Sequence, residues 1–177
     1  MLSEPVTEHA QKLSRLLRER GLQITTIESC TGGLVGASIT ALAGSSDVYP
    51  GGFITYCNEL KHTMVGVSHG TLKAHGAVSP QTAIEMARGG QSRIGCGYAI
   101  AITGIAGPDG GSDEKPVGTV WLCIAGPDEA VDCRRFVFPG DRQQVRERSA
   151  ISSLQMASQM IIQQPDPLEH ERERVGA

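Results

Sequence analysis

Three short segments carry residue types suited to acyl-transfer chemistry. The first is Glu28-Ser29-Cys30-Thr31-Gly32-Gly33. A neighbouring base can turn the Ser29 hydroxyl into a nucleophile. Cys30 is the adjacent rival, because thiolates are intrinsically better nucleophiles. Side chains alternate at a strand end, so only one of the two can face a given cleft. The second segment, Tyr56 to Lys61, supplies the candidate base, Lys61. An amine works as a base near neutral pH only when burial or a helix N-terminus lowers its pKa. The third segment is Thr103-Gly104-Ile105-Ala106-Gly107-Pro108. Its hydroxyl and glycines could bind a carbonyl or amide.

Each of these residues also has a plain structural use. Ser29 could cap a helix. Lys61 could be a solvated surface cation. Thr103 could end a strand with a local turn bond, and the glycines could serve turns with φ > 0. Arg142 lies in the first turn of a helix, where a cation is unfavourable unless an anion such as a phosphate joins it. Arg146 follows one turn later on the same side. A surface ion pair is the alternative for Arg142, and it would be worth little.

Other chemistries are poorly supplied. His62, His69 and His75 stand seven and six residues apart, with no HxH, HExxH or CxxC pattern, so no metal site is expected. The glycine loop lacks Walker or Rossmann spacing, and no GxSxG elbow occurs.

The positioning elements follow from periodicity. Residues 4–20 read as an amphipathic helix ended by Gly21, and 22–28 as a strand. Residues 32–43 read as a buried helix, and 48–57 as a strand interrupted at Pro50-Gly51-Gly52. Asn58 is the expected cap of a helix starting at Glu59, which sets Lys61 near its third position. Ser79-Pro80 opens a helix expected to run to about Ala87 and stop near Gly89-Gly90. Tyr98 to Ile102 is a continuous apolar run, as in a strand covered on both faces. A Gly- and Pro-rich loop, 104–116, separates it from two antiparallel strands, 117–124 and 131–138. Such a long irregular stretch inside a compact domain is often functional. Asp141 and Gln144 form a capping box for a last helix to about Ile162. The alternation of β and α runs predicts a three-layer α/β/α sandwich with a mixed sheet. Ligands in such sheets sit beyond the carboxyl ends of strands, where Ser29 and Thr103 fall.

The bulk composition narrows the partners. The 177 residues suit one domain, spanning 1–163, with a charged tail, 164–177, expected to be mobile. Net charge is −3 and aromatics are 4%, which disfavours nucleic acid and anionic membranes as partners. No apolar run is long enough to span a membrane, and the N-terminus has no secretory pattern. Five dispersed cysteines without CxxC suggest free thiols and a cytoplasmic location.

Six segments in order carry a resemblance: Glu28-Ser-Cys-Thr-Gly-Gly33, Tyr56-Cys-Asn-Glu-Leu-Lys61, Gly76-Ala-Val-Ser79, Thr103-Gly-Ile-Ala-Gly-Pro108, Lys115-Pro-Val-Gly-Thr119 and Gly140-Asp-Arg142. Together, over roughly residues 5–162, they resemble the CinA C-terminal domain family of nicotinamide mononucleotide (NMN) deamidases. The resemblance implies a three-layer α/β/α fold, a homo-oligomer, and hydrolysis of the carboxamide of NMN to nicotinate mononucleotide and ammonia, without metal or organic cofactor. Longer members carry an N-terminal domain with nucleotide pyrophosphatase activity. The present chain begins at the first helix, so that activity is not expected.

On this reading Ser29 is the nucleophile and Lys61 its base. Tyr56 and Thr103 bind the carboxamide or orient Lys61, and backbone N–H groups around Thr31, Gly32 and Gly33 take the oxyanion. Asn58, Gly104 and Gly107 line the substrate, and Arg142, with Arg146 or the glycine loop, holds its phosphate. Two readings remain beside it: a non-catalytic nucleotide-binding module, and an amidohydrolase of another nucleotide carboxamide.

Overall fold

The structure, a computed structural model, describes residues 2–168. In α1 (Glu4–Glu19), Val6, Ala10, Leu13, Ser14 and Leu17 recur at helical spacing and are buried. The chain continues through β1 (Ile24–Glu28), α2 (Leu34–Thr40), β2 (Gly52–Ile54), α3 (Asn58–Val65), α4 (His69–His75) and α5 (Pro80–Ile94). It ends in β3 (Tyr98–Gly104), β4 (Thr119–Ala125), β5 (Val131–Val137) and α6 (Arg142–Gln163).

The strands form one sheet in the order β2-β1-β3-β4-β5. β1 is parallel to both β2 and β3, whereas β3–β4 and β4–β5 are antiparallel. The sheet is therefore mixed, as the late hairpin predicts. α1, α2 and α6 cover one face. α5, with α3 and α4 against it, covers the other. These are the three layers of an α/β/α sandwich. From β1 the chain passes to β2 on one side and then to β3 on the other. The crevice past the carboxyl ends of β1 and β3 is thus the point where strand order reverses.

Several boundaries differ from expectation for identifiable reasons. The helix expected over 32–43 starts only at Leu34, because Gly32 and Gly33 hold φ of +59° and +93°. The strand expected over 48–57 shrinks to Gly52–Ile54. Tyr49 turns inward so that its hydroxyl meets Thr26 Oγ1 at 2.7 Å. Asn58 does not cap α3. Cys57 takes the cap position, its carbonyl accepting from Lys61 N–H at 3.2 Å. Gly89-Gly90 does not stop α5, which runs on to Ile94 and ends at Gly95, φ +78°. α4, capped by Ser68 through the Thr71 N–H, is a helix the periodicity did not disclose.

Among the described residues no helix is long and apolar enough to cross a membrane, all five cysteines are free, and no metal-ligating cluster forms. From residue 169 on, the charged tail read as mobile lies outside the described residues.

Candidate active site

Ser29 stands one residue past β1, and its N–H still donates to Ile102 O of β3 at 3.0 Å. Its side chain shares a face with Ile27, toward α3 and α5. From α3, Lys61 reaches back so that Nζ lies 3.0 Å from Ser29 Oγ. Only 1% of Lys61 is exposed, and among the described residues it is the largest side chain buried so completely. Two carbonyls hold the amine: Thr55 O at 2.7 Å and Tyr56 O at 3.4 Å. Among the described residues no carboxylate pairs with it. Burial without a counter-charge therefore lowers the Lys61 pKa from its ordinary 10.5. A neutral amine has two N–H donors and one lone pair. With the donors on the two carbonyls, the lone pair is left for the serine hydroxyl.

Cys30 points into the other core, the cluster that includes Ile102 and Val35. Burial, helped by the nearby Glu28 charge, raises its thiol to about 12. A thiol so protonated is a poor nucleophile.

Glu28, named in the motif but given no role there, is the residue that sequence reasoning missed. It is 1% exposed. Its carboxylate accepts from Gly33 N–H (3.0 Å), Val35 N–H (3.2 Å) and Gly36 N–H (2.8 Å). A protein carboxylate therefore occupies the positive end of α2, where a substrate anion had been expected. Gly32 N–H is likewise engaged, on Ser29 O at 3.0 Å. Of the three expected oxyanion donors, only the Thr31 N–H has no partner among the described residues. The Thr31 hydroxyl is also buried without one. The signal for Glu28 was an acid placed just ahead of a Gly-Gly helix start.

The other candidates are arranged as follows. Thr103 is 1% exposed and its hydroxyl donates to Ala77 O at 2.7 Å, so it does not orient Lys61. Nor does the Tyr56 ring: its hydroxyl accepts from Arg142 Nη2 at 2.7 Å, and the residue is 56% exposed. Arg142 Nη1 donates to Gly107 O at 2.9 Å, tying the glycine loop to Tyr56. Arg146 places Nη2 and Nε on Thr31 O, at 2.8 and 3.3 Å. Both guanidiniums thus hold the turns that carry the site. Gly104 closes β3 where a Cβ would come within 2.7 Å of Thr119 O. Asn58 is exposed at the start of α3.

The model of the CinA C-terminal domain matches residues 6–161. A nicotinamide-nucleotide amidohydrolase PncC of Enterobacter agglomerans is 46% identical over 162 residues, 92% of this chain and 99% of its own. The protein of the same name from Escherichia coli K12 is 45% identical over 163 residues, with the same coverage. Among solved structures, a competence/damage inducible protein CihA from Agrobacterium tumefaciens superposes with a TM-score of 0.88 at 39% identity, covering 92% of this chain and 99% of that one. On the match to the domain model and on these likenesses, the chain belongs to the CinA C-terminal domain family.

Proposed function

We propose that this protein hydrolyses the carboxamide of NMN to nicotinate mononucleotide and ammonia, with Ser29 and Lys61 as the working pair. The observation that carries the reading is the contact between a hydroxyl and a buried amine that has no counter-ion. The names of the relatives supply the substrate. Lys61 takes the hydroxyl proton as Ser29 Oγ adds to the carboxamide carbon. The oxyanion forms beside the Thr31 N–H. Lys61 then passes its proton to the departing nitrogen, which leaves as ammonia. A water molecule, deprotonated by the same amine, releases the acid from the Ser29 ester. The binding-module reading gives no reason to bury an unpaired lysine against a serine, since desolvating it disfavours the charged form.

Ammonia release from NMN tests this. Ser29→Ala and Lys61→Ala are each expected to lower kcat by about a thousandfold or more. Turnover near the wild-type rate in either folded variant removes that residue from the chemistry.

A further inference from the structure

A groove of about 420 Å³ opens on the dyad's side of the sheet, walled by His75, Val78, Ser79, Lys115, Trp121 and Arg135. Its position relative to Ser29 follows from the register. Glu28 pairs with Ile102, so Ser29 lies beside Thr103. Thr103 pairs with Trp121, and Trp121 with Arg135. Alternation along each strand puts all four side chains on the α5 face. At one inter-strand step of ~4.8 Å each, Trp121 stands ~10 Å from Ser29 and Arg135 ~14 Å. The segment 77–79, whose Val78 and Ser79 wall the groove, is pinned by the Thr103 hydroxyl on Ala77 O.

The groove is cationic in a particular way. Half-buried Lys115 rests Nζ on His75 O at 3.3 Å, and Arg135 rests Nη2 on Glu114 O at 2.7 Å. Among the described residues neither forms an ion pair. A cation bonded to a carbonyl keeps its full charge and its spare donors. The one acid in the wall is Glu114, which is exposed. Half-buried Trp121, the only tryptophan in the chain, adds an apolar surface between Arg135 and Thr103. Arg142 and Arg146 are not among the walls of this groove; they hold Gly107 O, Tyr56 Oη and Thr31 O, at the turns that carry the site.

We infer that this groove seats the phosphate end of the substrate, with Lys115 and Arg135 as its cationic partners and Trp121 lining the path to the amide at Ser29. The inference rests on the nucleotide reading above and specifies where that nucleotide lies. A phosphomonoester is the chemical class the groove takes. A nucleoside without the phosphate gains nothing from its two cations.

The test compares NMN with nicotinamide riboside, which lacks the phosphate, in Lys115→Ala, Arg135→Ala and the double variant. Each single variant is expected to raise KM for NMN about ten- to hundredfold, as loss of a charged hydrogen bond does, with kcat changed far less. The preference for NMN over the riboside should fall by the same factor. Glu114→Gln should lower KM for NMN by removing the nearby negative charge. An unchanged KM and an unchanged preference in folded Lys115→Ala and Arg135→Ala overturn the inference. So does a preference carried wholly by Arg142. A calorimetric titration with inorganic phosphate keeps the two proposals separable. If the wild type releases no ammonia from NMN, the nucleotide reading falls. Phosphate binding that is lost in the double variant then still supports the groove, and equal binding by both proteins removes it.

Discussion

The two faces of the sheet are built from different sizes of residue. Toward α1, α2 and α6 the strands present Ile24, Ile100, Ile102, Val120, Leu122 and Ile124. Toward α5 they present Ile27, Ala99, Ala101, Cys123 and Ala125. The bulky face buries more apolar surface per residue and so contributes more hydrophobic stabilisation. The thin face lets helices come close. In α5, a Cβ on Gly89 would lie 1.6 Å from Val65 O, and one on Gly90 2.3 Å from Ile27 Cγ1. Close packing there draws α3 inward, and α3 delivers Lys61 to Ser29. One face supplies stability and the other supplies approach, and the chemistry sits on the second.

Single carbon atoms should separate the two. On the thin face, Gly89→Ala adds one methyl against a backbone carbonyl that cannot rotate away. It is expected to cost about 3 kcal/mol or more, at or beyond the usual limit for overpacking, and to lower kcat by moving α3. On the bulky face, Ile124→Val removes one methyl from a fully buried side chain. It should cost about 1 kcal/mol and leave KM and kcat near wild type. Denaturant melts and ammonia assays on the pair read both effects. Equal losses of stability and activity in the two variants would contradict the division of labour.

How far the sequence disclosed this follows the same physics. Signals carried within a few residues were readable. The Asp141–Gln144 capping box forms with both of its bonds, and Ser79 caps α5 through the Thr82 N–H. The strand-end positions of Ser29 and Thr103, and the mixed sheet, followed from alternation and turn chemistry. What failed depended on partners distant in the chain. Gly89-Gly90 looks like a helix stop until Val65 and Ile27 are seen pressing on it. Arg142 gives no sign in its own segment of the bonds it makes to Gly107 O and Tyr56 Oη. The α2 N-terminus looks open until Glu28 fills it. A glycine pair or a lone charge has the same local appearance whether its neighbour is solvent, ligand or another helix.

The smallest expected effect is also the most specific to the thin face. Burial lowers the Lys61 pKa below 10.5 in the folded protein, while the unfolded chain keeps the ordinary value. Between those two values the unfolded chain binds more protons, so stability rises with pH across that window. Below the folded pKa the destabilisation is fully present, and above 10.5 it is gone. Lys61→Met removes the titrating amine and keeps the volume. At neutral pH it should therefore gain about 1 kcal/mol, ~2–4 °C in Tm, while losing activity. That gain should shrink as pH climbs toward 10.5. In the wild type, kcat/KM should rise over the lower edge of the same window, because only the neutral amine can take the serine proton. The two curves report one deprotonation. If activity rises at a pH where the stability difference between wild type and Lys61→Met stays flat, the group that limits turnover is not the buried amine, and the close approach of α3 serves packing alone.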